Sequence, residues 1–100
     1  MIVYNITVKI EPGIEEEWVR WQKEEHIPDI LATGHFIENR FFRLLQEEEA
    51  EGATFVSQFV SATHEDLHAY LEKAAPDMRK KAHEKWGDRF IAFRTIMEKV

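Results

Sequence analysis

The sequence predicts an α+β domain in the order strand, helix, strand, strand, helix, strand. This is the split βαβ or ferredoxin-like plan, a four-stranded antiparallel sheet with two helices on one face. Three observations predict it: a strictly alternating apolar run at the start, two stretches of helical apolar spacing, and two β-prone runs joined by an acidic turn between those stretches.

Ile2, Tyr4, Ile6, Val8 and Ile10 alternate with Val3, Asn5, Thr7 and Lys9, the period of a strand buried on one face. Pro12-Gly13 stops that strand, and Gly13 serves as N-cap for the helix that follows. Ile14, Trp18, Trp21 and Glu25 recur at helical spacing, with Glu15, Glu16 and Glu17 at the positive end of the helix dipole. At His26-Ile27-Pro28 the apolar phase changes to Ile27, Ile30 and Leu31, and a residue before proline resists helical geometry, so a kink or break is expected there and an end at Gly34.

His35 to Gln46 and Ala53 to Ala62 are rich in β-prone residues and flank the acidic segment Glu47 to Gly52, which reads as an antiparallel hairpin. Thr63 caps a second helix with apolar residues Leu67, Leu71, Ala74, Met78, Ala82 and Trp86, divided in two at Pro76. Trp86-Gly87-Asp88 ends it, and residues 90–97 form a last strand that is apolar on both faces.

A chain of 100 residues suits one domain, spanning 1–100, with one core. With 13 basic and 19 acidic residues the net charge is −6, a sign that repels phosphate backbones and anionic lipid, so neither nucleic acid nor a membrane is the expected partner. There is no cysteine, which excludes disulfides, thiolate metal sites and a thiol nucleophile. The N-terminus lacks the features of a secretory leader and no apolar run approaches the ~20 residues that span a bilayer; a cytoplasmic protein is expected.

With two helices on one face, the other face of the sheet is bare. Phe36 and Phe42 are expected on one side of the second strand and Ile37 and Phe41 on the other, and the last strand is equally two-sided. Face-to-face association of two copies covers such area economically, which predicts a homodimer through the open sheet face.

The opening Met-Ile-Val-Tyr-Asn, Trp18 to Trp21, Glu-Glu-His-Ile-Pro-Asp at 24–29, Ala-Thr-Gly at 32–34 and Phe-Ile-Ala-Phe-Arg-Thr at 90–95 resemble, over nearly the whole length, a bacterial family catalogued as a domain of unknown function. That family looks like part of the dimeric α/β barrel superfamily. The resemblance implies two ferredoxin-like subunits with their sheets packed together, each keeping a cavity between sheet and helices. Superfamily relatives include cofactor-independent monooxygenases, haem-degrading and haem-peroxidase enzymes, lactone isomerases and proteins with no known reaction, so the resemblance implies a fold and leaves function open.

The residues themselves nominate several sites. His26 sits where the first helix changes phase, beside Pro28 and Asp29, where side chains can point into a cavity; it is a candidate general base or axial ligand, or else a cap on the first helical segment. Asn5 is the amide to inspect beside it, as a donor to a developing oxyanion. Glu25 lies on the apolar stripe with Trp21, where an unpaired carboxylate is costly, and Arg40, Arg43 or Arg94 could answer it, hold an anionic ligand, or form ion pairs across a dimer. Trp21, Glu25, Arg40 and Arg94 are therefore candidate ligand contacts, although Trp18, Trp21 and Trp86 equally suit a core. Asn5, Thr7, Ser57, Ser61 and Thr95 are small polar residues on otherwise apolar strands, suited to a partly polar cavity or to a solvated sheet face.

His64-Glu65-Asp66-Leu67-His68 matches H-E-x-x-H, which would bind zinc on a buried helix with a third ligand such as Glu72; at the first turns of a short helix it also reads as a solvated start. No phosphate loop, nucleophile elbow or dinucleotide fingerprint is present, and no cofactor is predicted. The readings that remain are a homodimeric module binding a small apolar or aromatic molecule, a cofactor-independent monooxygenase- or isomerase-like enzyme using His26 (with a haem variant), and a zinc protein using His64 and His68.

Overall fold

A computed structural model describes residues 1–45 and 48–100. In chain order it contains β1 (Ile2–Ile10), α1 (Glu15–Trp21), a π-helical turn (Gln22–His26), α2 (Ile27–Ala32), β2 (Glu38–Arg43), β3 (Thr54–Ser61), α3 (His64–Lys73), α4 (Ala75–Trp86) and β4 (Phe90–Glu98). The strands form one antiparallel sheet in the order β2-β3-β1-β4, the ferredoxin-like plan that the element order predicts.

Strand parity sorts the sheet into two faces. Tyr4 pairs with Phe59 and Val8 with Phe55 on one side of β1, while Ile6 and Ile10 pair with Arg94 and Phe90 on the other. These residues share the face covered by the helices. There Tyr4 and Phe59 pack with Ile30 and Tyr70 in one cluster, and Val8 and Phe55 with Trp18 and Trp86 in a second. Burying side chains of this size contributes roughly 1.5–3 kcal/mol each, which is why apolar alternation in β1 specifies its register so strongly.

The remaining parity faces outward. Phe42, Ile91 and Phe93 lie there, with Ile91 60% and Phe93 66% exposed, so the bare second face expected from the two-sided strands is present in the single chain. The expected sides of strand two need correction. Phe36 and Phe41 both face the helices, Phe36 packing on Tyr4 and Tyr70 and Phe41 on Trp18 and Phe55. The phase slips because β2 starts only at Glu38: the Ile37 amide and Glu38 both lie opposite Val60, adding one residue between the two phenylalanines, as at a β-bulge.

Local boundaries also differ. Helix α1 begins after Ile14, not after a Gly13 cap, and Gly13 instead takes φ +93° in the turn. The first helical segment does not break at Pro28, because proline in the opening turn of α2 needs no donor of its own; continuity is kept by the π turn. In the hairpin the strands are shorter than expected, and Gln46 and Glu47, the expected strand end and turn start, lie outside the described residues. Gly52 closes the hairpin at φ +117° so near β1 that a Cβ there would sit 1.7 Å from the Ile10 carbonyl oxygen. Thr63 does cap α3, its Oγ1 accepting from the Asp66 amide at 3.1 Å, and the division before Pro76 falls at Ala74. Tyr70 and Ala75 join the core in addition to the apolar positions expected there. Arg43 ties β2 to α1 and to the hairpin through Glu15 and Glu49, which is an intrachain role for one of the strand arginines. Among the described residues no helix is long and apolar enough to cross a membrane.

Candidate functional site

Straight α-helical spacing from Trp21 would bring Glu25 onto the sheet. The π turn prevents this: the Ile27 amide donates to the Gln22 carbonyl five residues back, so one extra residue is accommodated and His26 takes the inward position. His26 then lies beneath Trp21, with ring centroids 4.4 Å apart and planes inclined by only 16°. Gln22, one α turn beyond Trp18, is buried by the regular α spacing that precedes the π turn, while Glu25 is exposed. A carboxylate is thereby kept in water, where its solvation is cheap, and an imidazole, which can be neutral, goes inside.

Trp18, Trp21, Phe41, Phe55, Phe59, Trp86 and Phe90 enclose a cavity of about 50 Å³ between the helices and the sheet, and Gln22, His26, Ser57 and Arg94 supply its polar groups. That volume holds a few water molecules. On the outer side of the same wall, Trp21 and His26 border an open depression of about 560 Å³ lined by Glu24, Glu25, Asp29, Lys81, Glu84 and Lys85. The Trp21–His26 stack is therefore the partition between an apolar interior and a charged surface. Lys81 reaches to 3.9 Å from Asp29 across this depression, linking α4 to α2.

Burial lowers the His26 pKa to about 4; the Asp29 carboxylate opposes the shift, and the Lys81 and Arg94 cations add to it. At neutral pH the ring is uncharged, so one of its nitrogens carries a lone pair. Its Nδ1 is buried without a hydrogen-bond partner, and so is the indole Nε1 of Trp86. Two orphaned polar atoms on residues lining one cavity are unusual, since buried polar groups are nearly always paired with protein or ordered water. The arrangement can hydrogen-bond a guest through the Trp86 N–H and the imidazole, and the Arg94 guanidinium adds positive charge.

Of the residues nominated by the sequence, the structure brings together His26, Trp21 and Arg94. Asn5 is not among them: odd parity on β1 turns it to the open face, where its Nδ2 donates to Thr7 Oγ1 at 3.2 Å. The Asn5–His26 pairing is thus corrected by strand parity. Arg40 faces the same open side and donates to Glu38 at 3.0 Å, and Glu25 is held at the outer depression. Of the small polar strand residues, Ser57 lines the cavity, where its hydroxyl accepts from Asn39 Nδ2 at 2.9 Å; Thr7 and Thr95 pair with open-face positions.

His64 and His68 border a separate groove beside Ile96, where His64 meets Glu98 at 3.3 Å and His68 meets Glu72 at 3.0 Å. Both histidines are exposed, and among the described residues no group of three or more His, Asp or Glu side chains is arranged to hold a metal. Gln22 and the Trp86 indole N–H were not nominated. The i,i+4 spacing from Trp18 to Gln22 signals the former.

The family model described as "Domain of unknown function (DUF4286)" matches residues 1–100. No curated protein matches the chain. Similar solved structures include an "ethyl tert-butyl ether d (ethd) family protein" from Bacillus halodurans, 16% identical with a TM-score of 0.71 and all of both chains covered. SnoaB, a cofactor-independent oxygenase from Streptomyces nogalater, is 9% identical with a TM-score of 0.66, over 98% of this chain and 91% of that one. A dimeric ferredoxin-like protein from an uncultured marine organism is 8% identical with a TM-score of 0.69, over 99% and 98%. At these identities the likeness establishes the fold and no activity.

Proposed function

Because the chain belongs to the DUF4286 family, whose description carries no activity, we propose a function from the site itself: a homodimer that binds a small aromatic molecule in the cavity behind the Trp21–His26 stack. The observation that carries this reading is the conjunction of aromatic walls with two buried polar atoms that lack partners. A guest that stacks on the rings and hydrogen-bonds to Trp86 or His26 offsets both deficits. At about 50 Å³ the resting cavity is smaller than a benzene ring needs, so entry requires the Trp21–His26 partition to move toward the outer depression.

Homodimerisation through the open sheet face is supported by the exposed Phe42, Ile91, Phe93 and Met97. The marine structural neighbour is itself described as dimeric. A second reading, catalysis without a cofactor, is favoured by one observation: the Nδ1 of His26 is buried and unpaired on a residue that borders the cavity, within reach of a proton on a guest. SnoaB, described as a cofactor-independent oxygenase, has this fold.

All three tryptophans of the chain line the cavity, so intrinsic fluorescence reports on it directly. Titration with small benzene derivatives is expected to give saturable quenching. A response that stays linear to millimolar concentration for every compound would remove the binding reading.

A further inference from the structure

Building on that reading, we infer that the cavity selects an aromatic acid, whose carboxylate is received by the Trp86 indole N–H and the Arg94 guanidinium while its ring lies among the aromatic walls. The inference follows from hydrogen-bond inventory. Indole Nε1 can only donate, so whatever satisfies the buried Trp86 atom must present an acceptor. Arg94 is likewise donor-only; it lines the same cavity from β4, opposite Ile6, and makes no ion pair with any described residue.

Charge points the same way. Of the charged groups near His26, only Arg94 lines the cavity; Lys81 and Asp29 sit at the outer depression, 3.9 Å from each other. The cavity lining thus carries one cation and no carboxylate, which favours an anion that can be hydrogen-bonded there. The neutral imidazole of His26 can donate a further hydrogen bond through its N–H to the same carboxylate. The carboxylates of the outer depression oppose the approach of an acid from that side, but they act through water and salt, which weakens their influence.

The test is calorimetric titration of the native protein with benzoate, benzyl alcohol and toluene. Benzoate is expected to bind at least tenfold more tightly than either neutral ring. Arg94→Gln and Trp86→Phe should each cost benzoate about tenfold and leave toluene within about twofold, while Lys80→Gln, on the solvated side of α4, should change neither. Because Trp86 is buried and its replacement disturbs the core, the exposed Arg94→Gln variant carries the decision. If the neutral rings bind as well as benzoate, the acid preference is overturned and the aromatic-binding function stands. If none of the three binds, both fall. A crystal structure showing only an internal water between His26 Nδ1 and Trp86 Nε1, undisturbed by saturating benzoate, also overturns the inference.

Discussion

Trp21 and His26 stack at 4.4 Å between centroids although they are five residues apart, a separation that an α-helix would rotate out of register. The π turn of Gln22–His26 aligns them and at the same time directs Glu25 to solvent. Deleting the exposed Lys23 should restore four-residue spacing between these two rings and turn the π turn into continuous α-helix. The deletion variant is expected to fold with a melting temperature no more than about 4 °C below the parent, that is, a loss of less than about 1 kcal/mol. A drop several times larger in thermal unfolding would show that the π turn is needed for stability and not only for placing His26.

The buried imidazole links stability to pH. The unfolded chain takes up a proton at His26 near 6.5, whereas the folded chain resists until about 4 because burial disfavours the cation. The folded state therefore binds fewer protons across this window: the contribution is fully present above about pH 6.5 and is lost as pH falls toward 4. At most about 3 kcal/mol is involved. Urea unfolding at pH 7.5 and pH 4.5 should show this loss in the parent and a markedly smaller one in His26→Phe, which keeps the stack on Trp21. Equal losses in both proteins would assign the pH dependence to other groups.

Gly52 and Gly13 should respond differently to alanine. A Cβ at Gly52 meets the Ile10 carbonyl oxygen at 1.7 Å, while one at Gly13 meets nothing within 4 Å, although both have positive φ. Gly13→Ala is expected to cost about 1 kcal/mol through backbone strain alone, and Gly52→Ala several kcal/mol because β1 and the hairpin must separate. Denaturant midpoints check the order; a smaller effect at Gly52 would contradict the close approach.

The open sheet face should carry the proposed dimer. Phe93→Glu puts a charge at the centre of its apolar strip, and sedimentation at micromolar concentration is expected to show a dimer for the parent and a monomer for the variant. A parent that sediments as a monomer would leave the face uncovered and remove the quaternary proposal.

Much of the fold was legible because period-two alternation in β1 and the turn chemistry at Pro12-Gly13 and Gly87 act locally. The division of the second helix at Pro76 was legible for the same reason. What was not legible depended on a single inserted residue. The π turn shows in the sequence only as the change of apolar phase at Ile27, which does not reveal that His26 replaces Glu25 on the inner face; the slip at Ile37, which moves Phe36 to the helix side, leaves no mark on the apolar spacing. Asn5 was readable from parity alone, since it alternates with Tyr4 and Ile6, but its polarity suggested a cavity that lies on the other face. Trp86 was visible as a core residue, whereas its unpaired N–H is a property of packing among distant segments.

A guest that reaches the interior must meet Trp86. The most direct measurement is the 1H-15N spectrum of the three tryptophan indoles, Trp18, Trp21 and Trp86, during titration with benzoate. A saturable downfield shift of the Trp86 indole proton is expected, as a free N–H becomes hydrogen-bonded, with the Trp21 signal moving at the same concentration. An unmoved Trp86 signal at saturating benzoate would contradict binding at this site.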